Sequence, residues 1–553
     1  MTNQDKFIRH TAAVLLAFGL LLPGLAAPCL AAAPVGPDIL QLPELNWEKR
    51  SDWLDVTKDV TPAAVGDGVA DDTAALQAAF DKLCGDKGAY STVYIPPGTY
   101  RITRQISPVR IGDWRSPEPD SLHIRGHGRS TRIVWDGPAG GTMFRSEKFG
   151  ESTYVGIVWD GRGRAARGFM SCGGNESHVK HEHQAFMNFT DSGSGVTEER
   201  PNPPGSGTWY LETPKWSNCL FVNCGKGLAI WHYNDYLYDI DGCSFYDCGY
   251  GIWCRNGNFY ARNCHFERSR QADVANPGAI HGCSVRRCTS VGSRAFLMDS
   301  GNIITVQDCH VSGWTDPNGA VISSGSMPML IFDCVFTNAP SANPPIRLDR
   351  AKSVVHSNNR TGTGSLFGGS LQHVVEVPKG QRTGSITSAQ QSFFRSEAAI
   401  PTKVFDAKRD FGVNVQQCID AARQHGQGAI AYFPRGNYTV SRTVNVAGGE
   451  YYVGGSGILS TNFHWRGASG GEPMFLVSDP QNVRMEYMAL LGGGVLIRQV
   501  STIQRPSRMH YEHMELRGGT AGNADTFTGN GAFEAVGLSR GSVLTAYCVF
   551  GLV

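Results

Sequence analysis

The most regular feature of the chain is an apolar residue that recurs two positions after a cysteine, in six segments. The segments are Cys219/Phe221, Cys243/Phe245, Cys264/Phe266, Cys283/Val285, Cys309/Val311 and Cys334/Phe336, at spacings of 24, 21, 19, 26 and 25 residues. A third apolar column follows 7 to 11 residues after each Phe or Val, at Ile230, Ile252, Val274, Phe296, Val321 and Ile346. Three short apolar strands per repeat predict a parallel β-helix of stacked coils.

The residue before each of these cysteines is Asn, Gly or Asp. These residue types tolerate left-handed backbone, so the pattern predicts a sharp corner at a fixed phase of every coil. Coils of a β-helix stack at about 4.8 Å, and the cysteines should therefore form one inward column of small apolar side chains. Disulfides between neighbouring coils remain an alternative in an oxidising compartment.

A second, longer repeat predicts two β-helices in tandem. Residues 66–83 carry apolar residues at helical spacing, and the strand sequence VYIPPGTYRIT follows at 93–103. The same order returns with a helical stretch at 410–426 and the sequence AYFPRGNYTVS at 431–441. Because the open end of a solenoid needs a cover, each unit predicts a short N-terminal capping helix.

The domain organisation follows from these units and from the N-terminus. Residues 1–33 combine a basic start, a short apolar run and a small-residue end, which predicts a signal peptide and a secreted or periplasmic protein. The apolar run is short for a membrane span, so we expect no membrane partner after cleavage. We expect a first β-helix over 34–377, a linker over 378–402 and a second β-helix over 403–553, with its completeness left open.

Composition narrows the class of partner. The 553 residues carry 50 Lys and Arg against 49 Asp and Glu, a formal net charge of +1, which argues against a strongly basic nucleic-acid binder. A content of 67 Gly and only 18% charged residues argues against a disordered chain or a coiled coil.

Motifs in the first cap carry a family resemblance. GDG at 66–68, DDT at 71–73 and PPGTY at 96–100 resemble the pectate-lyase-like β-helix superfamily, which includes relatives of polygalacturonases and rhamnogalacturonases. Two such units in one exported chain look most like glycoside hydrolase family 55, the exo-β-1,3-glucanases with paired β-helices. The resemblance implies an all-β fold of right-handed parallel β-helices, a polysaccharide as partner, and a site between the two domains. The second unit lacks GDG and DDT.

The first set of candidate catalytic residues follows from strand alternation. If Ile240 and Cys243 face inward, the polar neighbours should line one outer face: Asp239, Asp241, Arg262 and His281. Two carboxylates about 7 Å apart suit an inverting glycosidase, which admits a water molecule between its acid and its base. A solvated ladder of salt bridges is the alternative.

A second set of residues suggests a sugar platform. Trp231 and Trp253 each follow the third apolar column by one residue, and Asp273 precedes it in the next coil. Exposed indole rings beside a carboxylate suit the apolar face of a pyranose. Further candidate substrate-binding residues crowd the adjoining loops: His232, Asn234, Arg255 and Asn258. Burial of both tryptophans under a long loop is the alternative.

The second β-helix offers further acids. Glu486 and Glu512 occupy the same position of two segments 26 residues apart, where stacked glutamates would repel each other and raise a pKa. Because the resemblance implies an acid supplied by the second β-helix, Glu512 and Glu534 are the candidate catalytic residues there. Three histidines at 178, 181 and 183 have a conceivable metal spacing, but their loop predicts no defined geometry and we predict no metal site.

The residues leave three functions open. The first is a glycoside hydrolase that uses carboxylate acid–base catalysis and needs no cofactor. The second is a polysaccharide lyase, which needs a Lys or Arg base and often calcium, and for which Arg255 and Arg262 are candidates. The third is a carbohydrate-binding β-helix without chemistry, so enzymatic activity itself is left open.

Overall fold

The computed structural model describes most of the chain after the predicted signal peptide. The described residues are 42–85, 89–108, 121–147, 149–172, 176–196, 211–340, 342–350, 353–362, 364–370, 373–378, 401–467, 471–503, 505–518 and 532–551. The signal-peptide prediction and nearly all of the predicted linker therefore lie outside the described residues. Both β-helices belong to one compact unit, Pro37–Val553.

The first β-helix is built from three long parallel sheets, called sheets one, two and three below. Sheet one contains Trp53–Asp55, Thr92–Tyr94, His123–Arg125, Thr153–Val155, Lys180–Glu182, Lys215–Ser217, Tyr238–Asp241, Phe259–Arg262, Cys283–Arg286, Ile304–Gln307, Met329–Phe332, Ser353–Ser357 and His373–Glu376. Sheet two contains Asp67–Asp71, Gly98–Ile102, Thr131–Trp135, Val158–Asp160, Ala185–Met187, Leu220–Val222, Ser244–Tyr246, His265–Glu267, Thr289–Val291, His310–Ser312, Val335–Thr337 and Arg360–Thr361. Sheet three contains Thr142–Ser146, Arg167–Ser171, Ser192–Val196, Lys226–Ile230, Tyr250–Cys254, Ala272–Asn276, Leu297–Asp299, Val321–Ser323, Ile346–Leu348 and Phe367–Gly369. A small sheet pairs Glu176–Ser177, Leu211–Glu212 and Asp235–Tyr236.

The predicted cysteine column is confirmed except for one of its members. Phe266 pairs with Ser290, which pairs with Val311, so the fourth coil contributes Cys288 to the column and not Cys283. The corner of that coil is Arg287, directly before Cys288. It has the left-handed backbone that the pattern predicts for the residue before each cysteine. The column is Cys219, Cys243, Cys264, Cys288, Cys309 and Cys334, all buried and all free thiols.

The third apolar column is also shifted in two coils. Strand pairing places Leu228 opposite Ile252 and Leu297 opposite Val274, in place of the predicted Ile230 and Phe296. These shifts change which outward residues become neighbours, and they account for most of the corrections to the candidate site below.

The second β-helix repeats the cap and then runs for fewer coils. Its larger sheet, called sheet four, contains Lys403–Asp406, Ala429–Phe433, Gly436–Val440, Glu450–Gly455, Thr461–Trp465, Asn482–Gly492, Arg508–Gly518 and Val543–Gly551. Its smaller sheet contains Val444–Ala447, Phe475–Ser478, Ile497–Val500 and Phe533–Val536. Two separate apolar cores, one in each β-helix, support the predicted tandem arrangement.

The two caps have the same construction, as the repeated sequence predicts. The described residues contain two α-helices, Thr73–Gly85 and Val415–His425, one at the start of each β-helix. In the second strand after each helix, a tyrosine donates a hydrogen bond to the carbonyl of the proline four residues earlier. The distances are 3.0 Å from Tyr100 to Pro96 and 2.7 Å from Tyr438 to Pro434.

Side chains between the caps hold the two β-helices together. Asp52 accepts hydrogen bonds from the hydroxyls of Tyr432 at 2.8 Å and Ser456 at 2.6 Å. Ser51 donates to Asp406 at 2.6 Å. Sheet one of the first β-helix therefore faces sheet four of the second.

Candidate active site

A cleft of about 820 Å³ lies where sheet one and sheet four diverge beyond the caps. Two outward columns of sheet one form the first wall: Lys180, Lys215 and Asp239 in one column, Glu182, Ser217, Asp241 and Arg262 in the other. The opposite wall carries Arg484, His510 and Glu512 of sheet four. The cleft thus combines residues of both β-helices, as the family resemblance implies.

On the first wall, one arginine serves two carboxylates. The Arg262 guanidinium lies 2.5 Å from an Asp239 oxygen and 3.2 Å from an Asp241 oxygen. Asn263 donates a further hydrogen bond to Asp241 at 2.8 Å. The predicted neighbours Asp239, Asp241 and Arg262 therefore do share one outer face, and both acids accept hydrogen bonds from the same cation.

The opposite wall repeats this arrangement with glutamates. Glu486 and Glu512 are direct strand neighbours, as their spacing predicts. Arg484 lies 2.7 Å from Glu486 and also contacts Glu512. Lys180 of the first β-helix reaches Glu512 at 2.7 Å and Glu182 at 3.0 Å. Arg484 and Lys180 thus neutralise the charges of Glu486 and Glu512. These two cations offset the repulsion between the glutamates that the sequence predicts.

A second lysine of the cleft, Lys215, was not among the candidates predicted from sequence, and its pKa is strongly lowered. Burial and the neighbouring charge of Lys180 lower the pKa of Lys215 to about 8. By contrast, burial alone would raise the pKa of Glu182, but Lys180 holds it below its usual range. A lysine that loses its proton near neutral pH can act as a base, which an ordinary lysine cannot.

The sequence contains one indication that Lys215 belongs to the outer face. The residue lies three positions before Asn218, the corner of its coil, and so occupies the same outward column as Asp239. Its neighbour Lys180 comes from an earlier coil that the cysteine pattern does not reach. The proximity of Lys180 to Lys215, which contributes to the lowered pKa of Lys215, therefore could not be predicted without the strand register.

The prediction that His281 belongs to the carboxylate column is wrong. Arg262 pairs with Arg286, because the fourth coil turns at Arg287 rather than near Cys283. His281 comes before the strand, is exposed, and packs its ring 5.0 Å from that of Tyr236.

The tryptophan pair lies at sheet three, the sheet of the third apolar column, and does not line the cleft on sheet one. The ring centroids of Trp231 and Trp253 are 4.3 Å apart. In the strand register, however, Trp253 pairs with Ala229 and not with Trp231. The Arg255 guanidinium stands 5.5 Å from the Trp231 ring. These side chains do form one cluster, but on a different face from Asp239 and Asp241.

The prediction that Asp273 lies on this outer surface is wrong. The side chain is fully buried and accepts hydrogen bonds from Ser290 and, at 2.6 Å, from Ser293. Burial raises the pKa of Asp273 to about 7. Ser290 stands in the column that Phe266 and Val311 fill in the neighbouring coils, so the carboxyl occupies space that a larger apolar side chain would otherwise take.

The remaining candidates lie in the turns beside the tryptophans, at buried or half-buried positions. Asn258 is buried and accepts from the Leu237 backbone at 2.9 Å, which gives it a role in the turn. The His232 backbone donates to Asp235 at 2.8 Å, and the side chain of Asn234 accepts from the Tyr236 hydroxyl at 3.0 Å.

Glu534 is separated from the cleft. It lies in the smaller sheet of the second β-helix, where Arg498 contacts it at 2.6 Å. Of the two glutamates predicted in this domain, only Glu512 lines the cleft.

The three histidines at 178, 181 and 183 point in different directions. His181 lies in the core, with its ring stacked 4.8 Å from that of Trp216. His178 pairs with Glu151 at 2.7 Å, outside the core. Within the described ranges, no group of three or more His, Cys, Asp or Glu side chains is arranged to hold a metal ion.

Two family models match parts of the chain. Residues 58–128 match "Rhamnogalacturonase A/epimerase, pectate lyase-like", and residues 207–361 match "Right handed beta helix region". The resemblance to the pectate-lyase-like superfamily and the right-handed parallel β-helix fold are thereby confirmed. Membership of glycoside hydrolase family 55 stays a prediction.

One curated relative and several solved structures are similar to the chain. A stretch of 95 residues is 36% identical to the mannuronan C5-epimerase AlgE2 of Azotobacter vinelandii, covering 16% of this chain and only 9% of that protein. The Agl-KA catalytic domain aligns with a TM-score of 0.42 and 14% identity, over 60% of this chain and 70% of that one. An alginate lyase of Paenibacillus sp. str. FPU-7 gives 0.35 and 12%, over 55% and 97%. In the described part of the chain, neither helix is long and apolar enough to cross a membrane.

Proposed function

We propose that the protein is an enzyme that acts on an acidic polysaccharide by removing a proton next to a uronate carboxylate, with Lys215 as the base. The observation that carries the proposal is the contrast within the cleft. Lys215 has its pKa lowered to about 8, whereas the four carboxylates around it are paired with cations. General bases work best when their pKa lies near the working pH.

The charges of the cleft suit an anionic substrate. Five cationic side chains line it against four carboxylates: Lys180, Lys215, Arg262, Arg287 and Arg484 against Glu182, Asp239, Asp241 and Glu512. Arg287 donates to the neutral side chain of Asn263 at 3.1 Å. A guanidinium with a neutral partner is suited to bind a substrate carboxylate.

In the proposed step the C5–H bond of a uronate breaks and the proton moves to Nζ of Lys215. The electron pair is delocalised into the carboxyl group, where the charge of Arg287 stabilises it. If the C4–O bond then breaks, its electrons leave with the oxygen and a C4=C5 double bond forms, which is β-elimination. If a proton instead returns to C5 from the opposite face, the result is epimerisation. The curated relative, named as a C5-epimerase of a mannuronan, is consistent with such a proton transfer.

A glycoside hydrolase is the second candidate, favoured by one specific observation. Asp239 and Asp241 stand two residues apart on one strand and both line the cleft. This reaction requires one of them to leave Arg262 and take up a proton, as a general acid must. A calcium requirement, expected for a lyase of this fold, stays a prediction.

The test is to incubate the purified protein with polymannuronate, polygalacturonate and a neutral β-1,3-glucan. Elimination gives new reducing ends together with ultraviolet absorbance from the unsaturated uronate. Hydrolysis gives reducing ends alone, and epimerisation gives deuterium at C5 in heavy water without chain cleavage. Repeating the assays with a chelator tests calcium. Binding without any reaction would contradict both enzymatic proposals and favour a carbohydrate-binding protein.

The matched variants are Lys215→Ala and Lys226→Ala. Lys226 is ion-paired with Asp191 on sheet three and does not line the cleft. Lys215→Ala should lower turnover by about 10²–10⁴ and Lys226→Ala should leave it unchanged. Because the base must be deprotonated, kcat/KM should rise with pH through about 8 in the wild type. Equal turnover of both variants would reject Lys215 as the base.

A further inference from the structure

Two arginines are buried between the β-helices next to a small cavity. The cavity, called the seam pocket here, has a volume of about 60 Å³. Arg50 and Arg125 line it together with the rings of Trp47, Trp53 and Tyr432. Arg50 is 7% exposed and Arg125 is 9% exposed.

Neither arginine has an acidic partner among the described residues. Nε of Arg50 is buried and makes no hydrogen bond, while its guanidinium lies 4.3 Å from the Tyr432 ring and 5.0 Å from the Trp53 ring. Arg125 donates only to the carbonyls of Ile124 and Thr153, at 3.1 and 3.0 Å. Burial lowers the pKa of Arg125, and the positive charge of Arg50 lowers it further, so the two cations are close enough to repel.

The other cations of the seam pocket are compensated. Lys180 is paired with Glu182 and Glu512, and Arg484 with Glu486 and Glu512. Among the described residues, Arg50 and Arg125 are therefore the cations of the pocket that make no direct ion pair, although Glu182 and Glu486 act on Arg125 from a greater distance. Buried ionised groups are normally paired, because removing a charge from water is costly, and contacts with aromatic rings offset only part of that cost.

We propose that the seam pocket binds a compact oxyanion between Arg50 and Arg125. Its volume supports this size, because a water molecule needs about 10–15 Å³ by the same measure and a carboxylate or sulfate is a few times larger. Arginine is the residue that binds planar and tetrahedral oxyanions through paired hydrogen bonds.

Two sources of the oxyanion are consistent with this chemistry. The pocket shares Lys180, Glu182 and Arg484 with the cleft, so the two cavities adjoin, and the first source is the carboxylate of an acidic sugar at a chain end. This source rests on the proposed function and would make the enzyme act from chain ends. A free inorganic oxyanion that holds the two β-helices together is the other source.

The experiment measures the melting temperature of the full mature chain in sulfate, in monomeric glucuronate and in chloride at matched ionic strength. At about 100 times its Kd, a ligand of the native state should raise the melting temperature by about 2 °C or more over chloride. Arg50→Gln should lose this rise and Arg50→Lys should keep part of it. Arg347→Gln, which alters an exposed arginine paired with Asp349 on sheet three, is the control and should keep all of it.

The outcomes separate the pocket from the proposed function, since no turnover is measured. A rise with both anions supports the site and the sugar carboxylate as its source. A rise with sulfate alone supports the site with a free anion, whatever the enzymatic assays give. No rise in the wild type, or the same rise in Arg50→Gln, would overturn the proposal. If Arg50→Gln does not fold, saturable sulfate-dependent change of Trp47 and Trp53 fluorescence in the wild type replaces it, and its absence would overturn the proposal.

Discussion

On the outer face of sheet one, Asp241 accepts hydrogen bonds from Arg262 and Asn263, whereas one coil further along Asp273 accepts them from two serines inside the β-helix. The outer carboxylate has a charged partner and lines the cleft. The inner one has only neutral partners and no exposed surface. A cation allows a carboxylate to stay ionised, and neutral hydroxyls in a dry interior do so far less effectively, which is why burial raises the pKa of Asp273 to about 7.

This difference teaches that the chemistry open to a side chain of the β-helix depends more on whether it faces outward or inward than on its residue type. Cleft side chains are held by charges that a substrate can replace. Interior side chains are held by partners from the same or the next coil, which a substrate never meets. Four predictions test this contrast.

The largest expected effect is the loss of the ion pair that joins the two walls. Lys180→Met leaves Glu182 and Glu512 without their shared cation in a buried site, and should lower the free energy of unfolding by about 3–5 kcal/mol. Chemical denaturation measures this change. Lys226→Met, which breaks the more accessible pair with Asp191, should cost about 1 kcal/mol or less. Equal costs would mean that the cleft charges contribute no more than surface ones.

The next effect compares the two walls in catalysis. If Lys215 is the base, neither Asp241 nor Glu512 exchanges a proton with the substrate. Asp241→Asn and Glu512→Gln should then each lower kcat/KM by no more than about tenfold, through loosened Arg262 and Arg484. A fall of a hundredfold or more in Asp241→Asn, the scale of general acid–base catalysis, would favour the hydrolase instead.

A smaller effect should appear in the pH dependence of stability. Because the pKa of Asp273 is raised to about 7 in the folded protein, the native state binds its proton more tightly than the unfolded chain. Its contribution to stability is therefore full at acid pH and declines as the pH rises from about 4 to 7, by at most about 1.4 kcal/mol per unit.

Urea denaturation at pH 5 and pH 8 tests this expectation. Asp273→Asn should show a smaller loss of stability between the two values than the wild type. The difference between the two proteins is the informative quantity, because Asp235 is buried with its pKa also raised to about 7 and contributes a similar slope to both. Parallel pH dependences would mean that Asp273 is ionised in the folded protein.

The fold was accessible from sequence because its signal is periodic. Five of six members of the cysteine column and both caps follow directly from spacing. The prediction for the remaining member, in the fourth coil, was wrong because that coil contains two cysteines. Cys283 with Val285 fits the local pattern better than Cys288 with Ser290. Only the backbone turn at Arg287 decides between them, and arginine gives no sequence signal for left-handed backbone.

The site was less accessible because it depends on register and on a second domain. An error of five residues in one coil removed His281 from its expected column and replaced it with Arg286. The tryptophans were identified as a pair on the third apolar column, which forms sheet three, but no spacing indicated that the cleft would lie on sheet one instead. The contact of Lys180 with Glu512 joins residues 332 positions apart, which no local pattern predicts.

The smallest effect concerns the interior column itself. Cys264 is buried, and its thiol donates to the backbone carbonyl of Arg262 at 3.3 Å. In Cys264→Ser the hydroxyl inherits this acceptor, so the cost should lie near the lower end of the roughly 1–3 kcal/mol expected for a buried polar group. Turnover should stay unchanged, because the side chain points away from the cleft. Loss of activity at an unchanged melting temperature would show that the interior column takes part in the chemistry, and the contrast between outer face and interior would fail.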